Sequence, residues 1–164
     1  MEIGGLPLHP LVVHAAVTLV PLAAVAAWAL ALVPSWRWLS RWLALLASIG
    51  AVVVVYVARM SGKALLRDRP FLNQPGTRTA QLIATHQHRA AILMVLVVLL
   101  AAAVIVAFLV LPAKSGLVSG QLDHGGTDTR VISTVTVLLL LLLGLAVLVS
   151  VFLVGEAGAR AVWG

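Results

Sequence analysis

The sequence predicts an all-α membrane fold, a single domain of four transmembrane helices in an up-down-up-down bundle. Three observations predict it. Hydrophobic residues make up 62% of the 164 and charged residues only 10%, where soluble domains are nearer half apolar and a quarter charged. Four apolar stretches each reach the roughly 20 helical residues needed to cross the hydrocarbon core. Proline, glycine and Trp/Arg clusters fall between those stretches, where chain reversals and interfaces belong.

The spans run from about 11 to 33, 39 to 58, 90 to 111 and 131 to 154. Helices are required because backbone groups in lipid must be paired within the segment. The runs are too long and continuous for barrel strands. Pro10 sits where the first helix begins, since its missing N–H costs nothing in the first turn. Pro21, inside that span, frees the carbonyl of Val17, with Thr18 close enough to help satisfy it. Pro34 ends the span. No Lys or Arg precedes it and it is long for a signal-peptide core, so it reads as a retained helix. Trp36, Trp38 and Trp42 with Arg37 and Arg41 form an interfacial belt in the first connection.

The second connection, 59–85, is long and basic. Its start, through Leu66, extends the second helix until Pro70 stops it, and Gln81 to Arg89 opens the third. Pro112 follows the third span. The third connection, 113–130, is rich in Gly, Ser and Asp and reads as a flexible loop. Gly50 and Gly144, inside spans, read as small packing residues. No internal repeat stands out.

With no cysteine in the chain, disulfides, Cys-ligated zinc, iron–sulfur clusters and c-type haem attachment are excluded. The net charge of +6 sits in short segments beside apolar spans. It therefore points to membrane orientation and anionic headgroups, not to nucleic acid. The side holding the N-terminus, the second connection and the C-terminus carries Arg59, Lys63, Arg67, Arg69, Arg78, Arg89 and Arg160. The other carries Arg37, Arg41, Lys114 and Arg130. That balance predicts cytoplasmic termini.

The chemistry-bearing residues gather at one end. His9 and His14 open the first helix and His86 and His88 the third; odd-numbered helices run the same way, so both pairs share a mouth. His124 lies at the other. His9 and His14 point about 140° apart, and His86 and His88 about 200°, at about 100° per residue. One of each pair is therefore expected to face the axis, giving one inward imidazole from each helix. That arrangement suits the axial ligation of a b-type haem. It equally suits copper or zinc, or proton exchange with a quinone. Taken as metal ligands, the pair is His14 and His86, because an ionisable residue inside a span is by default functional. Gly62 reads as a helix C-cap. Gly155 and Gly158 would let the chain turn over the mouth or approach a ligand. Glu156 either pairs with Arg160 at i,i+4 spacing or orients an imidazole.

At these residues the chain resembles a bacterial, largely actinobacterial membrane family, domain-of-unknown-function family 2231. The resemblance rests on Gly5-Leu6-Pro7-Leu8-His9-Pro10-Leu11-Val12-Val13-His14, Ser61-Gly62-Lys63-Ala64-Leu65, His86, and Gly155-Glu156-Ala157-Gly158-Ala159-Arg160-Ala161-Val162-Trp163. It spans the chain in order, and the first and last motifs are the specific ones. The family's His–Thr–Glu-like segment falls on His86-Gln87-His88, where a histidine replaces the acidic residue. Its Gly-Asp-Ser-Gly-Ala ending falls on Gly155 to Ala159, where Glu156 and Ala157 replace the Asp and Ser. The resemblance implies a four-helix membrane fold and a bacterial plasma-membrane location, and supplies no activity. Relatives fused to Rieske or cytochrome domains raise the electron-transfer reading by analogy.

The expected function is thus a small haem b electron-transfer protein. Its cofactor-binding residues would come from His9, His14, His86, His88, Gly62, Glu156, Gly158 and Arg160. Its expected partners are the lipid bilayer, a quinone or a redox protein, and a second copy in a homodimer. The alternatives are a non-haem copper or zinc site and a cofactor-free accessory subunit. Nothing supports a Ser–His–Asp hydrolase.

Overall fold

Leucine, valine and alanine without interruption, in segments longer than 20 residues, leave the helix as the one stable choice in lipid, and the chain takes it four times. In a computed structural model, residues 2–3, 6–111 and 127–163 are described. Strands β1 (Glu2–Ile3) and β2 (Leu6–Pro7) pair antiparallel ahead of the helices, a small hairpin not expected from the sequence. Four helices follow: α1 (Leu8–Leu32), α2 (Arg37–Asp68), α3 (Arg78–Val110) and α4 (Thr127–Trp163). Each is long and apolar enough to cross a membrane, and together they form an all-α four-helix membrane bundle. Pro112 and the third connection through residue 126, with Lys114 and His124, lie outside the described residues, while 127–130, expected in the loop, form the first turn of α4.

Several boundaries differ from the sequence reading, each for a local reason. Helix α1 starts at Leu8 and runs through Pro21 without a break. The Thr18 hydroxyl donates to the carbonyl of His14 at 3.1 Å, not to that of Val17. Helix α2 continues to Asp68, and Pro70–Asn73 forms a 3-10 turn after it. Gly76 takes the left-handed φ of 84° that turns the chain. Thr77 then caps α3, its Oγ1 accepting from the Ala80 N–H at 3.2 Å, so α3 begins three residues before Gln81. Helix α4 passes straight through Gly155 and Gly158 to Trp163, so the chain does not fold back over the mouth there. Gly62 likewise sits inside α2, not at its C-cap.

Each helix packs against its two sequence neighbours around the ring, α1 also closing on α4, while α1 and α3 barely touch. They therefore sit on one diagonal, α2 and α4 on the other. The core is built from small residues, including Ala23, Ala27, Ala44 and Ala51, each fully buried. Lipid tails are as apolar as leucine, so close backbone approach and van der Waals contact, not hydrophobic transfer, hold such helices together. Trp28 shows the same logic between α1 and α4. Its indole N–H donates to the Leu141 carbonyl at 3.2 Å, and the ring lies where a Cβ on Gly144 would stand.

One mouth is the expected belt. Trp36, Trp38 and Trp42 are all at least half exposed. Arg37 turns back to the last carbonyls of α1, Leu30 at 3.1 Å and Ala31 at 3.3 Å, which satisfies acceptors that a helix end leaves unpaired. The Arg41 guanidinium lies 4.9 Å from the Phe108 ring centroid.

Candidate functional site

At the opposite mouth α1 supplies two histidines, and their surroundings differ. His14 is exposed, and its Nδ1 donates to the Pro10 carbonyl of its own helix at 2.7 Å. His9 is half-buried and turned onto α2. Its Nδ1 lies 3.1 Å from the Ala58 carbonyl and 3.1 Å from Ser61 Oγ. Ser61 is buried, and its hydroxyl donates to that same carbonyl at 2.9 Å. On α3, His88 is exposed while His86 is half-buried. His86 Nδ1 lies 3.1 Å from the Val154 carbonyl of α4.

A carbonyl only accepts, so each of these Nδ1 atoms carries the proton. In the neutral imidazole that leaves Nε2 as a bare acceptor nitrogen. The histidines brought inward are thus His9 and His86, each with its tautomer set by a neighbouring helix.

Two glycines make the approach possible. A Cβ on Gly62 would stand 3.1 Å from His9 Cε1, and one on Gly158 would stand 3.2 Å from His86 Cε1. In a helix the Cα–Cβ bond tilts toward the N-terminus, so a side chain covers the carbonyl about one turn before it. Gly62 follows Ala58 by four residues and Gly158 follows Val154 by four. Each glycine therefore uncovers the second lone pair of the carbonyl to which its imidazole donates. No sequence signal marked these glycines as partners of particular carbonyls; the C-cap and loop readings competed with it.

Glu156 does not go to an imidazole. Its carboxylate accepts from Arg89 at 3.1 Å and from Arg160 at 2.6 Å, and Arg89 also donates to the Leu153 carbonyl at 2.9 Å. This tie joins α3 to α4 beside His86. Arg59 follows Ala58, and Arg89 lies one turn after His86, so both cations are at the level of the imidazoles. Helix α2 continues ten residues past Ala58, roughly 15 Å at about 1.5 Å per residue, and these outer turns carry Lys63 and Arg67. The histidine pair thus lies where the apolar spans give way to charge.

Among the described residues, no group of three or more His, Cys, Asp or Glu side chains is placed to hold a metal ion. Two imidazoles are short of the donor set that zinc takes.

A family model described as "Predicted membrane protein (DUF2231)" matches residues 5–164. No curated protein and no solved structure matches the chain.

Proposed function

The chain belongs to the DUF2231 family of predicted membrane proteins, and on that premise we propose that it is a small b-haem electron-transfer protein in which His9 and His86 would hold the haem. One observation carries the reading: two diagonal helices each bring an inward imidazole whose Nδ1–H is held by a backbone carbonyl, leaving Nε2 free. Such hydrogen bonding to the far ring nitrogen fixes the tautomer and raises ligand basicity at metal centres.

The bound haem would supply one-electron chemistry. The rest falls to the chain's own residues. The Ala58 and Val154 carbonyls orient the imidazoles, and Ser61 shares the His9 proton. Arg59 would supply positive charge for the propionates, and the Arg89–Glu156–Arg160 network, two cations on one carboxylate, a further net charge. The site's level, at the end of the apolar spans, is reachable by a quinone in the bilayer or by a redox protein at the surface. The seven-to-four bias in basic residues favours a cytoplasmic side for both termini and this mouth.

The absorption spectrum of the purified protein, expressed with adequate haem supply, tests the reading. The expected preparation is red, with a Soret band lost in His9→Ala and in His86→Ala and kept in His14→Ala and His88→Ala. A colourless wild-type preparation, or a band that survives His9→Ala with His86→Ala, contradicts it. Elemental analysis of a colourless preparation would then separate a bare metal ion from a cofactor-free accessory subunit.

A further inference from the structure

We infer that the bundle is two copies of one helical hairpin, α1–α2 and α3–α4, and that Gly62 and Gly158 are the positioning residues of two equivalent half-sites. Each glycine opens one carbonyl to one imidazole.

The equivalence is visible in the buried positions. Superimposing His9 on His86 places every one of the seven buried residues of α3 on a buried residue of α1. Val20 falls on Val97, Ala24 on Ala101, Ala27 on Val104 and Leu30 on Ala107. Superimposing Ala58 on Val154 does so for most of the second helices' buried residues: Ser40 falls on Thr136, Ala44 on Leu140, Ala51 on Val147 and Ser61 on Ala157, all buried, while Ala47 and Val55 fall on the partly buried Leu143 and Val151. Gly62 then falls on Gly158, with nearly the same clearance from its imidazole. In each hairpin the first helix packs mainly on the second, and each hairpin meets the other through the remaining pair of neighbours. Both hairpins start at the same mouth. The relation is therefore a pseudo-two-fold along the bundle, the parallel kind of membrane repeat.

Sequence comparison along the chain misses this for a physical reason. The histidine and its carbonyl partner are 49 residues apart in one hairpin and 68 in the other. No single offset aligns both helices, and a packing repeat needs matched burial, not matched side chains.

The halves differ in two places. Ser61, whose hydroxyl touches the His9 nitrogen, has Ala157 as its counterpart. The Arg89–Glu156–Arg160 network of the second half has Val12, Met60 and Ala64 at the matching positions of the first. The two half-sites thus match in their imidazole and carbonyl, with a hydroxyl beside one and an ion network beside the other. The half-site geometry rests on protein atoms alone; its service to haem rests on the reading above.

Nitrogen NMR on histidine-labelled, haem-free full-length protein in lipid nanodiscs tests it, in a His14→Gln, His88→Gln, His124→Gln background. Two imidazoles protonated at Nδ1 and bare at Nε2 are expected. Gly62→Ala should move only the His9 signals and Gly158→Ala only those of His86. Two gentler variants exchange the halves without crowding: Ala157→Ser should shift His86 toward the His9 values, and Ser61→Ala should shift His9 toward those of His86. Protonation at Nε2 in either residue, glycine variants that move both signals equally or neither, or exchange variants without effect would overturn the inference. Retention of this pattern in a protein that never takes up haem leaves the repeat standing and removes the haem reading alone.

Discussion

His9 and His14 differ in one respect that the sequence does carry. His9, Ala16, Ala23 and Leu30 lie seven apart, and the last three are core. His86, Leu93, Leu100 and Ala107 repeat the spacing, again with three core residues. Seven residues is close to two helical turns, so each inward histidine sits on the stripe that its helix buries. Helical geometry alone says that one of each pair faces inward. Choosing which one requires the rotational phase of the helix, and in a span apolar on every side the hydrophobic pattern does not set it. On α1 the small residues Ala16 and Ala23 do, because they mark where helices meet; on α3 the stripe is Leu93 and Leu100, and its phase is set by the packing. Glu156 was legible as a partner of Arg160, whereas its bond to Arg89 depends on the α3–α4 contact and was not. Both of these ion pairs are at least a third exposed, so their contribution is discounted for screening. Glu156→Gln should cost less than about 1 kcal/mol in thermal or denaturant unfolding in detergent. A larger loss would mean that the network does more than tie two helices together.

At the scale of elements, existence and order were readable and lengths were not. Composition placed four helices correctly, since only a helix hides its own backbone in lipid. Hydropathy marks the bilayer, however, and not the helix. The charged turns of α2, α3 and α4 continue the same hydrogen-bonded ladder outside the apolar core. This is why α2 reaches Asp68, α3 starts at Arg78 and α4 ends at Trp163. Gly144 illustrates the packing between elements. The Trp28 indole fills the space that its missing side chain leaves. Gly144→Val should push the indole off α4 and destabilise the bundle by about 1–3 kcal/mol, the usual cost of overpacking. Unfolding of the reconstituted protein, followed by Trp fluorescence, measures it; a silent substitution would show that α1 and α4 have room to spare.

The whole molecule is asymmetric along its axis and quasi-symmetric around it. One mouth is an aromatic and arginine belt. The other holds His9 and His86 on diagonal helices, each bonded to a carbonyl of the next helix, beside seven of the eleven basic residues. On the proposed reading each hairpin would bring one ligating nitrogen, and neither half would complete the site alone. The central claim is that His9 and His86 jointly hold one flat redox group by two neutral imidazoles. Low-temperature electron paramagnetic resonance of the oxidised, purified protein tests it most directly. A low-spin ferric signal of the bis-imidazole kind is predicted, converted to high spin or lost in both His9→Ala and His86→Ala. No ferric haem signal in haem-supplied wild type, or a low-spin signal that persists in either variant, would contradict it.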